Sequence, residues 1–212
     1  MQKKALQTNF IIELLYILAG PTSKFFVFLG ITPNTITFSS VLFTIAAGIS
    51  LIIHLDPIYY IIFWSINIHL DFCDGTVARL TNNITKSVLR VDHLSDILKL
   101  SFIILSAGIH YQNKHVWLLA TLAIASYLFS TILNHNLDRY KENNNDNTRN
   151  SKLFVIYTIY DIFFTINGHT LLWFLFIQAD KYIAMIILIH FISMSAFNSI
   201  KAWLHLSKIP RN

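Results

Sequence analysis

At 212 residues, 54% apolar and only 13% charged, with a mean hydropathy of +0.53, the chain reads as one compact unit that lives in a bilayer rather than in water. A formal charge of +5 would point to nucleic acid only if Lys and Arg gathered on a soluble face; they flank apolar runs instead, which is a membrane-topology pattern and excludes a nucleic-acid partner. The lone Cys73 excludes an internal disulfide and a cysteine metal site, and is read as a packed or lipid-facing thiol.

In chain order, residues 1–30 are expected to form an N-terminal interfacial segment. Lys3-Lys4 followed by Phe10 to Ala19 imitates a signal peptide with a cleavage site near Ala19-Gly20. Glu13 interrupts that run and Gly20-Pro21 ends it too soon to span, so a helix lying on the cytoplasmic surface is preferred. Residues 31–212 are read as one membrane domain. Thr32 can cap a helix with Pro33 at its first position, and Thr35 to His54, at about 20 residues, is long enough to cross.

Asp56-Pro57 repeats that start for a second helix, which runs through Tyr60, Trp64 and Asn67 to near Arg79. Leu80 to Val91 is a polar connection. Asp92 to Gln112 and Val116 to Asn134 are the third and fourth spans, and His135 to Lys152 is a solvated loop. Leu153 to Gln178, weakened by Asp161 and Asn167-Gly168-His169, is the fifth, and Tyr182 to His205 the sixth. There is no internal repeat. The expected fold is all-α: a polytopic membrane protein of six transmembrane helices plus the N-terminal interfacial helix.

With both termini cytoplasmic, 13 of the 16 Lys and Arg residues fall on the inner side; only Lys114 and Lys181 fall outside, and Lys99 lies within a span. This bias is what the positive-inside rule demands of six helices. It puts the most unusual stretch of the chain, Asp71 to Asp96, near the cytoplasmic face.

That stretch reads DFCDGTVARLTNNITKSVLRVDHLSD. At about 100° per residue, Asp71, Asp74, Gly75 and Ala78 share roughly one 100° arc of a helix. Asp92 and Asp96, four residues apart, share a face of the next. Four carboxylates brought together repel unless a cation lies between them. With no His or Cys on those faces, an all-oxygen site suits Mg²⁺ or Mn²⁺, and paired hard cations on carboxylates usually clamp phosphates in an in-line displacement. Asp71 lies about 12 Å inward from the helix end at Arg79, and Asp96 about 6 Å deeper than Asp92. Ionised groups at that depth must line a wet cavity or bind a counter-ion, which implies a cup open to the cytoplasm.

The stretch resembles the signature of the CDP-alcohol phosphatidyltransferase family: D-x-x-D-G-x-x-A-R, eight residues, G, three residues, D, three residues, D. Asp71, Asp74, Gly75, Ala78, Arg79, Asp92 and Asp96 match in type and spacing; Val88 stands where the second glycine is expected. Ile31 to Thr37 is similar to the family's usual lead-in to its first membrane helix. The resemblance implies that Asp71, Asp74 and Asp92, helped by Asp96, ligate two divalent cations. It implies that Gly75 and Ala78 leave room for the CDP portion of the donor and that Arg79 meets its phosphates. It makes Asp96 the catalytic base for a hydroxyl acceptor, with CMP as the leaving group, and leads one to expect a homodimer in contact with membrane lipid. Val88 adds two methyl groups where a glycine would allow close approach, so the second and third helices pack apart, the nucleotide pocket differs, or catalysis has been lost.

Four polar residues outside the motif reach a similar depth: Asn67, Lys99, Asp161 and Asn198. They form either an acceptor pocket or mutually satisfied polar groups between helices. His69 and His93 turn away from the acidic face, and the histidines are read as structural or interfacial. Two rival functions use the same acids, a small cation or proton transporter and a non-catalytic membrane partner. A transporter needs polar groups across the whole membrane, whereas here they crowd one side. The acceptor and the donor's alcohol stay open. The basic residues Lys86, Arg90, Arg139 and Lys152 lie in or beside loops, which leans away from phosphate-bearing acceptors.

Overall fold

The computed structural model describes residues 10–82, 91–144 and 172–207, with the side chains of 10–13, 91–93 and 137–144 outside that description. Its elements are α1 (Phe10–Phe28), α2 (Pro33–Ile52), α3 (Pro57–Leu80), α4 (Val91–Tyr111), α5 (Lys114–Asn144), a 3-10 turn (Phe174–Phe176) and α6 (Lys181–Leu206). No strand occurs among the described residues. Stretches within α2, α4, α5 and α6 are long and apolar enough to cross a membrane. Large apolar side chains such as Phe38, Ile132, Ile186 and Trp203 face outward, as a lipid solvent requires. The chain is an all-α polytopic membrane protein.

The helix starts follow from the sequence. Thr32 caps α2 through the Thr35 amide at 3.3 Å, with Pro33 first in the helix. Asp56 caps α3 through the Ile58 amide at 2.9 Å, again followed by proline. Asp180 does the same for α6 through Tyr182 at 2.7 Å. Between α1 and α2 the chain turns on Gly30, whose φ of +69° lies in the left-handed region. The amides of Gly30 and Ile31 close back on the Val27 and Phe26 carbonyls, each at 3.0 Å, which is the usual glycine-dependent helix stop.

Two boundaries differ from those expected. Gly20-Pro21 does not end the first helix; α1 runs through it to Phe28. Proline removes one backbone hydrogen bond, to the Ile17 carbonyl, and tertiary packing outweighs it. Ala19 and Ser23, both fully buried, bring α1 close to α3. Ser23 Oγ bonds the Ala19 carbonyl at 2.7 Å and reaches the Cys73 carbonyl at 3.5 Å, while Cys73 Sγ points at the Ala19 carbonyl, 3.7 Å away. Cys73 is therefore a packed thiol.

The second difference is at His135 to Asn144, expected as loop but helical as the end of α5. That decapeptide is polar yet contains neither Gly nor Pro, so nothing stops the helix as it leaves the apolar layer. Residues 145–152 of the expected loop, and most of the expected fifth span (Leu153 to Gln178), lie outside the described residues. The described end of that span is the 3-10 turn, with Phe174 buried against Trp64 and Phe191.

α3 packs against α1 on one side and α2 on another, α2 also packs on α4, and α4 leads through α5 to α6. One end of this arrangement is tied by the Tyr60 hydroxyl on the Phe174 carbonyl (2.7 Å) and Tyr111 on Ile177 (2.8 Å). His110 Nδ1 meets the Leu51 carbonyl there too, at 2.7 Å. The C-terminal end of α3 and the N-terminal ends of α2 and α4 therefore lie together at the opposite end.

Gly48 makes the α2–α4 packing possible. A Cβ there would come 2.3 Å from Phe102 Cε1 and 2.6 Å from Ser106 Oγ. Gly48→Val is expected to force these helices apart, costing about 1–3 kcal/mol of stability. Thermal unfolding in detergent should show a clearly lowered midpoint, and an unchanged midpoint would mean that the contact yields freely.

Candidate active site

The acids of the motif lie at the end where α3 finishes and α4 begins. Asp71 and Asp74 stand one turn apart on α3, and Asp96 lies in the second turn of α4. Asp74 is buried, with its Oδ2 accepting a 2.6 Å hydrogen bond from the Thr37 hydroxyl of α2. That hydroxyl is also 3.1 Å from the Pro33 carbonyl, so the first turn of α2 is built around Asp74. Thr37 was quoted in the expected lead-in to α2, but nothing in the sequence linked it to an aspartate.

Lys99, one turn after Asp96 on α4, is only 5% exposed. Its Nζ donates to Asp71 Oδ1, bridging from α4 to α3, and to Asp96 Oδ1 at 2.9 Å. Carboxylates from two helices thus converge on one positive centre. Both carboxylates are partly exposed, Asp71 at 23% and Asp96 at 36%.

The remaining candidates fall as follows. Gly75 is partly exposed, and a Cβ there would find only Arg79 Nη1, at 3.6 Å. Ala78, on the same face, is half-buried. The Arg79 guanidinium lies over the Tyr16 ring of α1, 4.8 Å from its centre, and Nη2 donates to Thr76 Oγ1 at 3.1 Å. Tyr16 in turn meets Phe72 edge to face. Asn67 is buried one turn deeper than Asp71, and its Oδ1 has no hydrogen-bond partner among the described residues. Asn198 is half-buried on α6. His69 faces α1, with Nε2 3.0 Å from the Thr22 hydroxyl, away from the acids. The side chain of Asp92, and Val88 and Asp161 altogether, lie outside the described residues.

No three His, Cys, Asp or Glu residues among those described come close enough to hold a metal ion, and Asp92 is not in that set. The chemistry of the described donors nonetheless fits a hard cation: they are all carboxylate oxygens, and an ammonium already occupies the point where Asp71 and Asp96 meet. Where α1 turns into α2 and α3 ends there is a cleft of about 380 Å³, which none of the motif residues lines. It is lined by Val27, Gly30, Ile31, Thr32, Pro33, Thr81 and Asn82.

The fold is that of an all-helical polytopic membrane protein, with carboxylates of two helices meeting one ammonium near one end of the bundle. Residues 30–179 match the family model for CDP-alcohol phosphatidyltransferase, and the chain belongs to that family. This is a family of transferases that take a phosphoalcohol from a CDP-linked alcohol. Comparison with curated proteins gives no match.

Proposed function

We propose that this chain is an active CDP-alcohol phosphotransferase of phospholipid biosynthesis, moving a phosphoalcohol from a CDP-linked donor to a hydroxyl acceptor and releasing CMP. The observation that carries the reading is the convergence of Asp71 on α3 and Asp96 on α4 on one ammonium, with Asp74 one turn from Asp71 on α3 and bonded to Thr37. Asp71, Asp74, Asp92 and Asp96 would hold two Mg²⁺ or Mn²⁺ ions, which when bound neutralise the donor's phosphates and the charge that develops on the leaving CMP.

The chain's own groups do the rest. Gly75 and Ala78 keep one face of α3 low, so the CDP portion can lie against it. Arg79, whose guanidinium lies over Tyr16, would meet the donor's phosphates with its planar fork. The acceptor oxygen attacks the phosphorus that carries the donor's alcohol, and the bond from that phosphorus to the CMP oxygen breaks. Asp96 takes the acceptor's proton. Asn67, whose carbonyl oxygen has no partner among the described residues, Asn198 and Asp161 are candidates for the acceptor's pocket.

Lys99, placed there by depth alone, has its ammonium engaged by two carboxylates, which favours an acceptor without a phosphate of its own. The positive-inside bias puts this end of the bundle, and both termini, in the cytoplasm, with residues 1–30 as an interfacial segment; a homodimer is the expected assembly.

Purified protein incubated with CDP-diacylglycerol or CDP-linked head groups and a panel of alcohols should release CMP together with one new phosphodiester. The release should need Mg²⁺ or Mn²⁺ and stop in excess EDTA. Robust CMP release in EDTA would remove the cation from the reading, and no release with any donor would remove the enzyme.

A further inference from the structure

Among the described residues, Lys99 is the ionised group that meets the motif acids without belonging to the motif. It is buried and joins two helices through carboxylates that the proposed function assigns to cation binding. In the metal-free protein this ammonium supplies the positive charge that lets Asp71 and Asp96 face one another. Without it, α3 and α4 would present like charges to one another. A divalent cation that binds Asp71 and Asp96 approaches the same oxygens, and two positive centres then lie within a few ångströms of each other.

We infer that Lys99 is an internal counter-cation that competes with the divalent cation for Asp71 and Asp96 and so sets the affinity of the site. The inference rests on the proposed function only in taking those carboxylates as cation ligands. Lys99 is a positioning residue: it ties Asp71 of α3 to α4 in the absence of metal, and gives way when metal loads. Its effect is opposite in the two states, stabilising the metal-free fold and weakening the metal complex. An ordinary structural ion pair would not produce that reversal.

The test uses the full chain in detergent, as wild type, Lys99→Met, Lys99→Gln and Lys99→Arg, each purified with Mn²⁺ present and then stripped. Free Mn²⁺ is followed by its electron paramagnetic resonance signal during titration. Lys99→Met and Lys99→Gln should half-saturate at about tenfold lower Mn²⁺ than wild type, the size expected when a unit charge is removed from about 5 Å in a water-like medium. Lys99→Arg, which keeps the charge, should stay near wild type.

In EDTA the two neutral variants should unfold at a lower temperature than wild type, and saturating Mn²⁺ should close the gap. Equal half-saturation for wild type and both neutral variants would overturn the inference. So would a Lys99→Arg shift as large as that of Lys99→Met, since shape rather than charge would then be responsible. Either result, with metal-dependent CMP release intact, leaves the proposed function standing. Absence of Mn²⁺ binding in every form would instead remove the cation from both.

Discussion

Asp71→Asn is expected to lower CMP release by at least about 10²-fold and to raise the Mg²⁺ or Mn²⁺ concentration needed for half-activity. The size follows from the residue's position. Asp71 is on α3, partly exposed, and shares its carboxylate with the buried Lys99 ammonium of α4. An amide of the same shape keeps the volume but removes the charge, so the proposed cation site would lose a ligand, and among the described residues Lys99 would keep Asp96 as its carboxylate partner. Repulsion between the incoming cation and Lys99 then goes less opposed, and donor binding, which depends on the cation, should weaken in parallel. CMP release and donor binding measured across a metal titration check this. Wild-type turnover at ordinary Mg²⁺ would show that Asp71 holds no metal and serves only the link to Lys99.

What could be read from the sequence, and what could not, divides along a physical line. Local chemistry was legible: the Thr32 and Asp56 caps with prolines behind them, the span of α2, and the spacing that puts Asp71, Asp74, Gly75 and Ala78 on one face. Competition between local and tertiary forces was not. Gly20-Pro21 reads as a stop, but the fit of Ala19 and Ser23 against Cys73 carries the helix through it. The polar residues after Asn134 read as loop because they lack an apolar stripe, yet they continue α5 for want of a breaker.

At the site, the spacing of Asp96 and Lys99 could have paired them, since residues three apart on a helix are neighbours. The bond from Lys99 to Asp71 could not be read, because it depends on how α3 and α4 are arranged, and depth alone had sent Lys99 toward an acceptor pocket. Thr37 on Asp74 belongs to the same group: a contact between helices distant in sequence. The rival transporter reading weakens with the family assignment, which places the chain among transferases.

Asp96→Asn should separate the base from the ligands. Asp96 is the most exposed of the three described motif acids and lies where α4 has just begun, so a hydroxyl acceptor arriving from water would meet it first. The amide matches the carboxylate in size and can still accept a hydrogen bond from Lys99 through its oxygen, so the link from α4 to α3 and most of the cation set should survive. An amide cannot take the acceptor's proton. Metal-dependent binding of the CDP donor should therefore stay close to wild type, while turnover at saturating donor falls by something like 10²- to 10⁴-fold. Asp71→Asn, by contrast, should lose binding and turnover together. Donor binding by equilibrium dialysis and single-turnover CMP release, run on both variants, give the comparison. If Asp96→Asn loses donor affinity as fully as Asp71→Asn does, Asp96 acts chiefly as a metal ligand. The proton then has to go to another group, and Asp161, the remaining carboxylate proposed for the acceptor pocket, is the one to replace next.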